Sequence, residues 1–458
     1  MSLINIALTG SQAAQAGLNA TSQNIANVAT PGYTRQSPLF VAMQTNNGVR
    51  ASAAGVAVPA LIRFSDAYQS QQLWRSNSDL SQHSSAQPYL TQLEQVMGDD
   101  TSSISSGLDG FLSALNAATV EPTSTPLRQQ VVTAASALGQ RFDSLSEVLA
   151  NQLTSIHQQR TSTVDQVNSL ASDIAGLNAK ISAAQAIGAQ NSALVDARDQ
   201  KIDSLAQLAG LQVVDQPDGS RDVSLRSGQP LVIGSVPAKM AVQANANGSQ
   251  TLTLAFARES FVVSPTGIGG QLGGLEDTED NVIVPLRQDI TDIAGQIASQ
   301  VNGLLGAGYD LNGNPGTPLF AFNPNSTTGM LTVAPGVTAA GLGFSSNATD
   351  PGNSDQLLGL VDLGNQTITV GSLGSVLLGD ADTQLVGKLG TASQQNQAAQ
   401  GTAQTVRDQA EENWKSTSGV NSDEEAVNLV QYQQMYQANM KVISVANTLF
   451  DATLQMVG

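Results

Sequence analysis

Residues 1–36 read MSLINIALTGSQAAQAGLNATSQNIANVATPGYTRQ. Ile4, Ala7, Ser11, Ala14, Leu18, Thr21, Ile25 and Val28 fall on alternating spacings of three and four. That spacing predicts a narrow helical seam that ends near Pro31-Gly32. The first charged side chain is Arg35; up to residue 65 only Arg50 and Arg63 join it, and the first acid is Asp66. A solvated helix carries charge on its outer face, so this one is predicted to be enclosed on several sides.

The C-terminal end mirrors it. Leu429, Tyr436, Ile443, Phe450 and Val457 are spaced by sevens, with Met440, Ala446 and Leu454 filling the same stripe. Between the ends, Phe142, Leu149, Ile156, Leu170 and Leu177 lie seven or fourteen apart in a stretch without proline from Leu127 to Pro217. This predicts one or two long helices in a bundle. After Gly210 the pattern turns to short apolar runs, Leu211-Val214, Val223-Leu225, Leu231-Ile233 and Thr251-Phe256, parted by Asp218-Gly219, Ser227-Gly228 and Asn247-Gly248. Those are strand and turn signals. A further helix is expected from about Leu286 to Leu305, then loop with short strands over 308–380, then helix again, including the Gln- and Ala-rich stretch Ser393 to Ala410.

The expected fold class is therefore α+β, mainly α: long coiled-coil-like terminal helices, a helical bundle from discontinuous segments, and a small inserted antiparallel β unit. The expected divisions are terminal segments 1–65 and 415–458, a helical bundle of 66–210, 275–306 and 385–414, and β-rich insertions at 211–274 and 307–384. A chain of 458 residues is long enough for two or three such units.

Composition narrows the function. Nineteen Lys plus Arg against 37 Asp plus Glu give a net charge of −18, which disfavours nucleic acid and anionic lipid as partners. Aromatic residues make up only 4% and charged residues 12%, so the cores must be built from Ala, Leu, Val and Ile. With no cysteine there is no disulfide, thiolate metal site or thiol nucleophile. No run of about 18 apolar residues predicts a membrane span, and the uncharged start has no basic n-region, so secretion without a cleaved signal peptide is expected.

Catalytic and metal patterns are weak throughout, and no cofactor is expected. His83 and His157 have no second ligand-type residue at metal spacing and read as solvent-facing helix residues. Asp310-Leu-Asn312-Gly-Asn314 starts like a calcium loop but has Pro315 at the sixth position and Ala321 at the twelfth, and reads as a polar turn. Gly267 to Leu275 lacks the lysine of a phosphate cradle and reads as a turn entering a helix. Asp196, Arg198, Asp199, Lys201 and Asp203 crowd one turn and a half of helix, the mixed-sign density of a solvated face. Sticky, nearly uncharged helices at both ends are instead candidates for packing between copies of the chain.

The run Leu18 to Gln36, with Asn24, Ile25, Asn27, Pro31, Gly32 and Tyr33, resembles the N-terminal signature of flagellar rod, hook and hook-associated proteins, and its Pro-Gly-Tyr-Thr-Arg-Gln ending favours the hook-associated protein 1 family of hook–filament junction proteins. Ser418 to Asn439 resembles the other end of that family. Leu194 to Gln200, Gly270 to Leu275 and Gly308 to Gly313 extend the similarity, which is weaker between about 320 and 390.

The resemblance implies a non-enzymatic, extracellular structural subunit of the flagellum, exported by the flagellar type III apparatus. Its implied partners are copies of itself in a ring, the hook protein, the second junction protein (hook-associated protein 3), and an export chaperone covering Tyr436, Met440, Ile443, Phe450 and Leu454. The implied assembly residues are Ile4, Ala7, Ala14, Leu18, Asn24, Ile25, Asn27, Val28, Pro31, Gly32 and Tyr33 with Leu429, Tyr436, Met440, Ile443, Phe450 and Leu454. Larger relatives carry an outward β domain; the short span after Gly313 implies no large one here. Asn24 and Asn27 can serve a helix interface, bond the chain as it leaves the helix, or simply terminate it. Two alternatives stay open: a hook or distal-rod subunit, and a secreted adhesin or enzyme with flagellar-type ends.

Overall fold

The computed structural model describes residues 3–44, 53–245 and 248–457. In chain order the helices are α1 (Leu3–Ala26), α2 (Ala67–Met97), α3 (Ile104–Val120), α4 (Thr125–Ala186), α5 (Ser192–Leu208), α6 (Gly270–Thr278), α7 (Val284–Ala307), α8 (Asp355–Val361), α9 (Leu378–Ser418) and α10 (Ser422–Val457). The strands are β1 (Gln36–Pro38), β2 (Val41–Gln44), β3 (Ala53–Ala57), β4 (Leu61–Arg63), β5 (Leu211–Asp215), β6 (Arg221–Leu225), β7 (Pro230–Ile233), β8 (Val236–Pro237), β9 (Lys239–Ala244), β10 (Gln250–Phe256), β11 (Glu259–Val262), β12 (Phe320–Phe322), β13 (Leu331–Val333), β14 (Thr367–Val370) and β15 (Gly374–Leu377). The class is mainly α with small antiparallel sheets, as the periodicity predicts. The proline-free stretch resolves into two helices, α4 and α5. The turn residue Asn247 and the Val457 side chain fall outside the described residues.

Two compact units form. The first comprises Met1–Leu80, Val164–Gly270 and Ala403–Gly458; the second comprises Ser81–Thr163 and Gln271–Thr402.

In the first unit, β5-β6-β7-β8 make a four-stranded antiparallel sheet, with Val213 opposite Val223, and β11-β10-β9 make a three-stranded one, with Leu252 opposite Val242. Alternation drives the burial: Val223, Leu225, Leu252 and Leu254 point inward while their neighbours do not. Two asparagines of α4 tie that helix to the strands. Asn168 exchanges two 2.8 Å hydrogen bonds with the backbone of Met240, and Asn178 does the same with Arg221 at 2.8 and 3.1 Å. These amides satisfy backbone groups that burial would otherwise leave orphaned.

The turn from β10 to β11 holds Ala257 at φ 54°, the left-handed region that crowds a Cβ. Ala257→Gly is therefore expected to stabilise the protein by about 1 kcal/mol, read as a higher urea midpoint with an unchanged m-value; a lower midpoint would refute the strain.

The second unit surrounds one core containing Leu93, Phe111, Leu138, Phe142, Leu149, Ile290, Ile297 and Phe344. Arg128 is fully buried there; its guanidinium donates to the carbonyls of Leu342 at 2.7 Å and Pro122 at 2.6 Å and lies 4.4 Å from the Phe344 ring centroid. Burial pushes its pKa down to about 10. Asp310 Oδ1 accepts from the amides of Asn312 and Asn314 at 2.7 and 2.8 Å, forming the expected polar turn.

The histidines correct the sequence reading. Neither faces solvent freely: His83 Nδ1 lies 2.8 Å from Asn396 Oδ1, and His157 Nε2 lies 2.9 Å from Glu279 Oε1. Glu279 opens a π-helical turn, Glu279–Ile283, between α6 and α7, and also pairs with the buried Arg160 at 2.5 Å. Both histidines sit on long polar helices, where the sequence does not reveal which face a distant segment covers.

Candidate assembly interface

Helices α1 and α10 pack antiparallel along small residues. Ala7, Ser11, Ala13, Ala14, Gly17, Ala20, Thr21 and Asn24 are buried on α1. Two glycines seven residues apart admit two α10 side chains seven residues apart. A Cβ at position 10 would lie 2.6 Å from Asn439 Oδ1, and one at position 17 would lie 2.7 Å from the Tyr432 ring. The Tyr432 ring also meets Phe40 at 6.0 Å. On another side of α1, Thr9 Oγ1 accepts from the Val56 amide of β3 at 3.3 Å.

The residues expected at an assembly interface therefore divide. Ala7 and Ala14 are buried within the chain, and Ile4 and Leu18 are half-buried. Ile25 and Val28 remain 38% and 48% exposed, so the enclosure expected for α1 is incomplete within one chain. On α10, Leu429 and Ile443 are half-buried, whereas Tyr436, Met440, Phe450 and Leu454 are exposed, the last two by 61% and 57%. Leu3, Ile6 and Leu8 add to this open apolar surface. Pro31 is exposed, Gly32 is half-buried beside Gln200, and Asn27 bonds only locally, to Gln23 and Thr30.

Asn24 serves the chain leaving the helix. Its amide donates to the Gln36 carbonyl at 2.8 Å, and its oxygen accepts from the Gln36 amide at 3.0 Å and the Tyr33 hydroxyl at 2.9 Å. The Tyr33 phenol is raised in pKa, first by burial, then by the charges of Asp196 and Glu425. The next residues join three distant motifs. The Thr34 amide donates to Asp196 at 3.4 Å, the Arg35 amide donates to the Ser418 carbonyl at 2.8 Å, and Arg35 pairs with Glu424 at 2.6 Å while stacking over Phe64. Asn421 caps α10, whose first turn carries Asp423, Glu424 and Glu425 where the helix dipole favours acids.

Lys201 lies at the surface, paired with Asp173 at 2.8 Å, but the rest of the mixed-sign cluster of α5 is not a solvated face, which corrects the sequence reading. Arg63 pairs with Asp196 at 2.7 Å and Asp199 at 2.9 Å; Asp199 also binds Arg221 at 2.5 Å and Arg198 at 3.1 Å; Arg221 binds Asp215. Three guanidiniums thus meet three carboxylates, with Arg198 2% exposed. Burial lowers the pKa of Arg198 despite Asp199, whereas at Arg221 the carboxylates of Asp199 and Asp215 outweigh burial and raise it. Asp196 is raised by burial against the pull of Arg63. The partners Arg63 and Arg221 come from β4 and β6, far away in sequence, so helical spacing alone does not expose the network.

Asp203 has an analogous, simpler setting. It accepts from Asn77 at 2.6 Å, and burial raises its pKa above the ordinary 3.8. A raised carboxyl contributes stability that is complete below about pH 3.8 and lost as pH rises through the folded-state value. Asp203→Asn is accordingly expected to be more stable than the parent at pH 7.5, with the gap shrinking at pH 4. Urea unfolding at both values checks this, and a gap independent of pH would contradict it.

Gly10, Gly17, Tyr432, Asn439, Arg63 and Arg221 were not legible as site residues. The seven-residue spacing of the two glycines, beside the seam, is the signal that reveals the first of these.

Among the described residues no group of three His, Asp or Glu is arranged to hold a metal, and no helix is long and apolar enough to cross a membrane. The family model for the flagellar hook-associated protein FlgK helical domain matches residues 90–320, and that for the C-terminal part of flagellar basal body rod FlgEFG proteins matches 416–456. Flagellar hook-associated protein 1 of Escherichia coli strain K12 is 26% identical over 99% of this chain and 100% of its own length. The protein of the same name from Bacillus subtilis strain 168 is 26% identical over 97% of this chain and 96% of its own. The solved flagellar hook junction protein FlgK from Burkholderia pseudomallei shares the fold, with a TM-score of 0.65, 18% identity, and coverage of 76% of this chain and 100% of that one. With half of its length matched by the helical-domain model and both signature ends meeting at one network, the chain belongs to the flagellar hook-associated protein FlgK family.

Proposed function

We propose that this chain is a structural, non-enzymatic subunit of the bacterial flagellum that forms the junction between hook and filament and lets flagellin assemble beyond it. The observation that carries the reading is the α1–α10 pair. Its small residues are spent inside the chain, while Ile25 stays outward on the uncharged α1, and Tyr436, Met440, Phe450 and Leu454 stay outward on α10, which beyond its acidic first turn carries only Lys441 and Asp451. Such a surface suits burial against neighbouring copies of the same pair, where like charges would face each other at short range. The proposed partners are copies of itself in a ring, hook protein on one side, hook-associated protein 3 on the other, and, before export to the cell exterior, a chaperone on the α10 stripe. Met440 and Tyr436 suit such exchangeable contacts. The alignment with the Escherichia coli relative runs over 547 positions, more than the 458 residues here, which supports a compact version without a large outer domain.

Deleting the gene in its own bacterium tests the role. Bare hooks with flagellin lost to the medium support the junction; missing hooks move the protein to the rod or hook; normal filaments favour an adhesin or enzyme. On the intact gene, Ile25→Lys and Phe450→Lys are each expected to abolish motility while the purified proteins keep the parent unfolding midpoint within about 0.5 kcal/mol, because both side chains are exposed. Normal motility in both variants would sink the interface assignment.

A further inference from the structure

At the base of the terminal helices, α1, β1, Phe64 just after β4 and the first turns of α10 line a cavity of about 100 Å³. Its polar lining comprises Thr21, Gln36, Ser37, Glu425, Asn428, Tyr432 and Arg35. Glu425 and Thr21 are each 2% exposed, yet neither side chain makes a hydrogen bond among the described residues; Glu425 is tied only through its backbone amide, to the Asn421 carbonyl at 3.0 Å. A carboxylate this buried and unpaired is expensive unless something neutralises it.

The cation in the lining does not. Arg35 gives Nη1 to Glu424 at 2.6 Å and its buried Nε makes no hydrogen bond, so it bonds no oxygen of Glu425, and the local set of Arg35, Glu424 and Glu425 keeps one uncompensated negative charge. The remaining polar lining groups are the hydroxyls of Thr21, Ser37 and Tyr432 and the amides of Gln36 and Asn428, which offer hard oxygen donors, with no imidazole or thiolate for a transition metal. One free carboxylate beside a guanidinium is too little charge for a tight divalent site. The volume exceeds the roughly 10–15 Å³ needed for a single water centre, leaving room for an ion and part of its shell.

We infer that this cavity binds one small monovalent cation, sodium or potassium, through Glu425 with Thr21, Asn428 and water. The ion bridges the last turns of α1 and the first turns of α10, so it tightens the base of the helix pair that assembly uses. The site is independent of which flagellar position the subunit occupies, because the test uses the isolated chain.

Hydrogen exchange of the full-length protein is followed in sodium, potassium and choline chloride at equal ionic strength. Amides of residues 422–432 are expected to exchange about tenfold more slowly in sodium or potassium than in choline, the factor for an ion at ten times its Kd. Glu425→Gln and Thr21→Val, which keep shape and remove donors, are expected to erase most of that difference. Thallium(I), soaked into crystals as a heavy analogue, is expected to give an anomalous peak beside Glu425. Equal exchange in the three salts, or a full cation effect surviving in Glu425→Gln, overturns the inference and leaves a water-filled cavity. If Glu425→Gln fails to fold, Thr21→Val and the thallium peak decide the question.

Discussion

Replacing Asp199 with alanine is expected to remove about 3–5 kcal/mol of stability, the range for breaking a buried ion network by deleting one partner. One carboxylate here serves three arginines: Arg63 at 2.9 Å, Arg221 at 2.5 Å and Arg198 at 3.1 Å. Without it, Arg198 keeps no carboxylate partner among its ion pairs, and it is 2% exposed. The loss should exceed that of Asp215→Ala, since Asp215 is 57% exposed and water can replace it. Urea unfolding of both variants checks the order. Because Asp196 in the same network also holds the Thr34 amide, protease sensitivity of residues 27–36 should rise together with the lost stability. A loss below 1 kcal/mol would show that the network is neutralised by solvent instead.

Gly17→Val carries the second large effect. In an isolated helix the exchange would be mildly favourable, since glycine is the poorer helix former by a few tenths of a kcal/mol. Here the added Cβ alone would sit 2.7 Å from the Tyr432 ring, so the ring must be displaced or α1 and α10 must separate. Overpacking of this kind costs about 1–3 kcal/mol, and the branched side chain places the value at the upper end. Steric cost therefore outweighs propensity. The expected signs are faster exchange along α1 and loss of motility in cells. Adding Tyr432→Ala should restore part of the stability, with a coupling of about 0.5–3 kcal/mol in the double-mutant cycle. Additive losses would mean that the glycine does not set the helix register.

The contrast between Leu18 and Gly17 shows how far periodicity reaches. Apolar spacing identifies α1 and the neighbourhood of its buried stripe, but the stripe in the fold runs through Gly17 and Asn24, one residue before the expected Leu18 and Ile25. Hydrophobicity favours large side chains for the seam, whereas close helix approach selects small ones. Only the partner helix decides which criterion applies. Asn24 illustrates the same limit: its residue type admits an interface, a chain exit or a helix end, and the positions of Gln36 and Tyr33 select the chain exit.

The sequence by itself determined the helical ends, the strands after Gly210 and the family resemblance, because each rests on local spacing or contiguous motifs. The tertiary structure alone decided that Asp196, Arg198 and Asp199 lie inside rather than on a solvated face, and that Glu425 closes over a cavity. Burial of a charge depends on which distant strands supply its partners, Arg63 from β4 and Arg221 from β6, and that pairing is a property of the folded chain rather than of any one segment.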